Sequence, residues 1–359
     1  MKSIIKTLSL LMAVAFTTVK SFASPNAPDI VVAADGSGKF TSIQEAVMSI
    51  RDYKPTRTTI YIKNGVYKEK LLIPSNKCDI TLIGESTEGV IITWNDYAAL
   101  NDMGTFKTWT VKIDGSGIRM ENITIENSAG RVGQAVALHT EGDSCEFVNC
   151  RLLGNQDTLF TGTGGHRCYF RNCYIEGTTD FIFGPATVWF EQCDIHCKSD
   201  SYITAASTPE EFKYGYVFNK CNITTGPEVK KMYLGRPWRA YASVIFMNCT
   251  MPSTITAEGW HNWGRVENEK TSRYMEYNNT GEGATVTGRV AWAKQLTKEQ
   301  ADKVTLRNVM KIRSEWKPAY DSDASADVKP AKREEAQVKK AHEVKPEANG
   351  KHRKGIRTR

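Results

Sequence analysis

Long apolar runs are nearly absent from this 359-residue chain. The run from Leu8 to Val19 is too short to span a bilayer, and no other stretch comes closer, so a polytopic membrane protein is excluded. Helical periodicity is just as scarce. Ser42 to Arg51 (SIQEAVMSIR) is the clearest stretch with a 3.6-residue apolar period, and it reads as a short N-terminal capping helix. No two of the nine cysteines have the CxxC spacing of a zinc site. Their odd number leaves at least one unpaired in any monomeric disulfide scheme. One-sided charge is also missing from the body. The segment from Tyr320 onward holds 11 Lys/Arg and 7 Asp/Glu, so it carries +4 of the formal +7.

Both ends stand apart in composition. Lys2 and Lys6, the run from Leu8 to Val19, and Ser21-Phe22-Ala23 have the order of a secretory signal peptide cleaved after Ala23. The expectation is export, to periplasm or medium. Residues 320–359 have too few large apolar side chains to offset the entropy of ordering, and are expected to form a basic, disordered tail. Acidic polysaccharide, anionic lipid, nucleic acid or no partner at all are open to such a tail. The body, 24–319, is within the size of one large all-β domain. It is expected to be a monomer with no nucleic-acid partner and no membrane insertion.

What the chain does have is a repeat. The segments EFVNCRLLG, YFRNCYIEG, WFEQCDIHC, VFNKCNITT and IFMNCTMPS each place Phe three residues before Cys: Phe147/Cys150, Phe170/Cys173, Phe190/Cys193, Phe218/Cys221 and Phe246/Cys249. MENITIEN, from Met120, fits the frame with Met and Ile in those places. The cysteines follow one another at intervals of 23, 20, 28 and 28. Irregular periods of this size, built of short strand-like runs with Gly, Asn and Asp between them, predict a solenoid of β coils. The fold class is therefore all-β, a parallel β-helix with Phe and Cys stacked inside as ladders. Buried Cys is read mainly as small apolar filler. Cys168 and Cys197 fall outside the frame, which leaves a bridge from them open in an exported protein. The N-x-Thr matches at Asn122, Asn222, Asn248 and Asn278 bear on glycosylation only in a eukaryotic secretory pathway; Asn122, Asn222 and Asn248 also lie on the same repeat and are read as strand-edge positions.

In this frame, Asp157 and Asp180 lie seven residues after Cys150 and Cys173. They are predicted to stand on adjacent coils, about 4.8 Å apart at the backbone. Gln134 lies 23 residues before Asp157, and Arg236 precedes Cys249 by 13, as Asp180 precedes Cys193. Four polar residues in one column are not what turn-capping alone would leave. Two close carboxylates do not both ionise easily, while a neighbouring cation favours the charge on one. This divides them into a nucleophile or base, Asp180, kept charged by Arg236, and an acid, Asp157. Gln134 and Gln156 add amide donors suited to an oxyanion. The set suits acyl transfer on an ester, without metal or cofactor. Trp238, in YLGRPW, suits sugar stacking or packing.

These stretches resemble the pectin methylesterase (pectinesterase) family. The likeness runs from about Ile30 (IVVAADGSGKFTSIQEAV) to about Trp316, and its motifs are NGVYKEKL, GQAVAL, GNQDTLF, DFIFG and YLGRPW. The resemblance implies a right-handed parallel β-helix and hydrolysis of the methyl ester on galacturonate residues of pectin. It implies Asp180 as nucleophile and Asp157 as the acid that becomes the base for water. It further implies Gln134 and Gln156 as oxyanion donors, Arg236 holding Asp180, and Trp238, Phe183 and Thr105 in contact with the substrate. The chain departs from the family pattern at Thr108-Trp109, where small residues are usual, and at Thr179, where an apolar residue is commoner. The rivals are a lyase needing acids around Ca²⁺ and a basic residue, a polygalacturonase using carboxylates on the glycosidic bond, and a sugar-binding solenoid without chemistry.

Overall fold

The computed structural model describes residues 27–312 and 314–319; the expected leader and the tail from 320 lie outside them. The chain coils into three parallel sheets, one of eleven strands and two of seven. The eleven-stranded sheet runs from Ile30–Val32 to Lys294–Gln295, and each successive coil adds a parallel strand. This is the parallel β-helix read from the repeat. Among the described residues no helix is long and apolar enough to cross a membrane.

The ladders stand in register. Phe147, Phe170, Phe190, Phe218 and Phe246 pair on consecutive strands of the large sheet. Their ring centroids are 4.4, 5.1, 4.4 and 4.3 Å apart, with interplanar angles of 19° or less. Met120 continues the column below Phe147. Burying each such ring stabilises the coil by about 1.5–3 kcal/mol. The five ladder cysteines are buried beside it, and all nine cysteines are free. No bridge forms from Cys168, which stacks in register on Cys145, or from Cys197, whose strand neighbours are Gly177 and Thr225.

The residue before each ladder cysteine explains the asparagines. Asn149, Asn172, Gln192, Lys220 and Asn248 all have φ between 51° and 56°. The left-handed backbone there turns the chain sharply from one sheet to the next, and Asn tolerates that region better than most residues. Asn122 and Asn278 take the same conformation, while Asn222 opens a strand.

The first coils and part of the outer face of the large sheet are covered. The helix Ile43–Ser49 buries Ile43, Ala46 and Val47 on the first coils, and Ser42 caps it. Glu69 accepts from the amides of Ile43 and Gln44, at 2.8 and 3.0 Å, satisfying two of the donors that open every helix. Near the C-terminus, Val304, Val309 and Met310 pack on Tyr169, Trp189, Val217, Ile245 and Met247 on the outside of the large sheet. Arg167 ties this segment down by donating to the carbonyls of Met310 and Ser314, both at 2.9 Å, while paired with Asp143.

Candidate active site

Asp157 and Asp180 stand two residues before adjacent strands of one seven-stranded sheet, Leu159–Thr161 and Ile182–Gly184. The Asp157 amide donates to the carbonyl of Thr179 at 3.1 Å, and the Asp180 amide to Tyr202 at 2.9 Å. The two acids therefore occupy neighbouring coils, as their spacing predicted. Each has positive φ, 66° and 50°, a conformation that Asp tolerates and that is held where surrounding structure imposes it. Both are buried, at 8% and 6% exposure.

The other two members of the predicted column are displaced. Gln134 bridges to Gln156, one residue short of Asp157, so the two glutamines pair on neighbouring coils. Arg236 does not stand over Asp180. Register carries the Asp180 column to Tyr202 and then Tyr233, and the Arg236 amide bonds to the carbonyl of Thr204. Counting back from the cysteines assumed equal turns, and the turns after these strands differ in length. The long guanidinium stem closes the gap. Arg236 Nε and Nη2 donate to the two Asp180 oxygens at 2.9 and 2.6 Å. Its guanidinium lies between the rings of Tyr202 and Trp263, 4.0 and 3.8 Å from their centroids.

This arrangement makes the acids unequal. Burial pushes the Asp157 carboxyl well above the usual carboxylate range, the Asp180 charge adds to that, and Arg236 opposes it. Burial also lifts Asp180, against the hydrogen bonds and charge of Arg236. The cation thus restrains the rise at Asp180 without reversing it, a correction to the expectation of a simple depression. Among the described residues the Asp157 side chain has no hydrogen-bond partner, whereas Asp180 is held by a fork. Of the two, Asp157 is the carboxyl pushed further toward its protonated form.

Beside the acids, an aromatic surface forms the candidate binding face. Phe160 and Phe183 pair in register on adjacent strands, 4.8 Å apart, and Trp238 lies 5.9 Å from Phe183. Trp109 and Trp263 join the same cluster. Thr105 opens the short 3-10 turn Thr105–Lys107. Its neighbour Phe106 reaches Phe160 at 4.9 Å and Trp238 at 6.4 Å, so this turn stands at the wall of the surface. Phe106, Phe160, Tyr202 and Trp263 were not singled out from sequence. Phe160 could have been, since it lies 23 residues before Phe183, as Asp157 does before Asp180. Trp263 sits in a loop outside the repeat and offered no signal. Among the described residues, no group of three or more His, Cys, Asp or Glu is arranged to hold a metal ion.

A parallel β-helix with a buried, unequal acid pair beside an aromatic surface defines the class, a β-helix enzyme acting on a polysaccharide. The Pectinesterase family model matches residues 29–313. The chain is 41% identical over 281 residues to Pectinesterase 31 of Arabidopsis thaliana, covering 75% of this chain and 88% of that protein. The solved pectin methylesterase from carrot superposes with a TM-score of 0.76 at 34% identity, over 80% of this chain and 94% of its own. A pectin methylesterase solved in complex with a hexasaccharide gives a TM-score of 0.71 at 30% identity, over 82% and 99%. The chain belongs to the pectinesterase family and is an ester hydrolase.

Proposed function

We propose that this protein hydrolyses the C6 methyl esters of galacturonate residues in methyl-esterified homogalacturonan, with Asp180 as nucleophile and Asp157 as acid and then base. The Asp180 carboxylate attacks the ester carbonyl, and the oxyanion that forms is met by the amides of Gln134 and Gln156. Asp157 gives its proton to the departing methoxide, which leaves as methanol. Asp157, now charged, takes a proton from water, whose hydroxide attacks the acyl-enzyme and releases the free carboxylic acid, which ionises in solvent, with Asp180 restored as carboxylate. One water is consumed and one methanol formed. The observation that carries this reading is the inequality of two adjacent buried acids, one forked by Arg236 and the other without a hydrogen-bond partner among the described residues.

Phe183, Trp238 and the Thr105 turn are read as the sugar-contacting surface, with rings suited to the apolar faces of the polymer. The first 23 residues are read as an export leader and the protein as a monomer; size-exclusion chromatography and the mature N-terminus test these. The decisive assay is methanol release from highly methylated pectin, with and without EDTA, beside Asp180→Asn. Chelator-resistant release that vanishes in the variant supports the reading. New unsaturated or reducing ends without methanol would instead indicate a lyase or a polygalacturonase. Retained binding with no product would leave a sugar-binding solenoid.

A further inference from the structure

The backbone that carries the Gln134 side chain has little of its own to hold it. The chain before it is a loop with Gly130 and Gly133 at φ 87° and 103°, and its own ladder contact is the lone bridge to Gln156. Its position is set from outside the coil. The Ala98 amide donates to the Gln134 carbonyl at 2.9 Å. Two residues on, the Val136 amide donates to Thr108 Oγ1 at 2.9 Å, and that hydroxyl donates to the Thr105 carbonyl at 2.7 Å. Asn127 Nδ2 is shared among the carbonyls of Val136, Thr108 and Asp96, at 3.1, 3.1 and 2.9 Å, while its Oδ1 accepts from the Ala129 amide at 3.1 Å. Thr108 and Asn127 are buried, at 0% and 3% exposure.

Both side chains do what few others could. Only an amide offers two N–H donors, shared here among three carbonyls, and an acceptor to a backbone amide at once; a carboxylate would face those carbonyls with like charge. Only a hydroxyl at 108 can accept from Val136 while donating to Thr105. The knot joins three pieces: the loop that enters Gln134, the strand that leaves it, and the turn carrying Thr105 and Phe106.

We infer that Thr108 and Asn127 are positioning residues for the Gln134 amide, holding it where the developing oxyanion needs it without touching substrate. The inference rests on the reading of Gln134 as an oxyanion donor. Such donors act only when preorganised, and a displacement of about 1 Å can cost about a hundredfold in rate. It also accounts for a threonine at position 108.

The test is kcat, KM and thermal midpoint for methanol release by the full chain as wild type, Thr108→Val, Thr108→Ser, Gln134→Ala, Asn127→Ala and the double Thr108→Val/Gln134→Ala. Thr108→Val keeps the shape and removes the hydroxyl. It is expected to lower kcat about tenfold or more with KM nearly unchanged, and Thr108→Ser to recover most of the loss. Asn127→Ala is expected to lower kcat likewise, with a lower midpoint. In the Gln134→Ala background, Thr108→Val should cost less than about twofold, because the residue it positions is gone. A Thr108→Val enzyme with wild-type kcat overturns the inference. So does an equal loss with and without Gln134, or one that only follows the unfolded fraction. If Gln134→Ala alone keeps full kcat, the oxyanion reading fails by itself, and any loss from Thr108→Val then acts elsewhere and overturns the inference as well.

Discussion

Replacing Arg236 by alanine removes the cation from a buried ion pair and leaves Asp180 to ionise against burial alone. Two opposite charges about 4 Å apart attract by about 4 kcal/mol at an effective dielectric near 20. The Arg236 side chain keeps 20% of its exposure, so water screens part of this, and about 2 kcal/mol is a reasonable net loss of carboxylate stabilisation. That corresponds to about thirtyfold in kcat/KM where the Asp180 carboxylate is the reactive form. The direction with pH follows. As the proposed nucleophile, Asp180 must be charged to attack, so activity is expected to fall as pH drops through its titration. Removing Arg236 takes away the influence that lowers the Asp180 pKa, and the acid limb of the kcat/KM profile moves to higher pH. Arg236→Lys keeps a charge but loses the fork and the stacking between Tyr202 and Trp263, and should lie between wild type and alanine. The assay is methanol release across pH 4–9. An alanine variant within about threefold of wild type, with an unmoved acid limb, would refute the assignment of Arg236 as the support of a charged Asp180.

Three further outcomes are expected. Asp157→Asn abolishes turnover yet raises the thermal midpoint at pH 7 by about 2 °C or more. The folded-state pKa of Asp157 is raised, so the wild type bears a cost above the unfolded pKa that the amide does not, and calorimetry should find the gain vanishing toward pH 3. Phe190→Ala empties a fully buried place between Phe170 and Phe218. It should cost about 3–5 kcal/mol, read as a midpoint lower by roughly 6–10 °C with the acids undisturbed. Arg167→Ala strips Asp143 of its partner and frees the carbonyls of Met310 and Ser314. Limited proteolysis should then cut between Val304 and Trp316 before the coil, with a stability loss of about 3 kcal/mol.

The coil was legible because its chemistry recurs. A stack needs the same small or flat side chain at the same place in each turn, so Phe and Cys could be read as ladders. The left-handed turn before the ladder cysteines left its mark as Asn at Asn149, Asn172 and Asn248, though not at Gln192 or Lys220. The acid pair was legible for the same reason, since the segments from Cys150 to Asp157 and from Cys173 to Asp180 are equal in length. Arg236 was found as a residue but misplaced in register, because the coils beyond Asp180 carry turns of other lengths that no spacing in the ladder records. Trp263 and Tyr202 were hidden for a related reason: one lies in a loop, and the other became a neighbour of Asp180 only through that register. The support of Gln134 by Thr108 and Asn127 joins segments 19 and 28 residues apart through side-chain-to-backbone bonds, which leave no periodic trace. The partial offset at Asp180 depended on burial as well as charge, and a column of residues conveys only the charge.

The account stands on the division of labour between the two acids. The direct measurement is a ¹³C titration of aspartate carboxyls, with Asp157 and Asp180 assigned through Asp157→Asn and Asp180→Asn. The pair should titrate in two steps, Asp180 losing its proton first and Asp157 keeping its own to higher pH. Asp157 ionising first, or both titrating together in the ordinary carboxylate range, would contradict the assignment of nucleophile and acid.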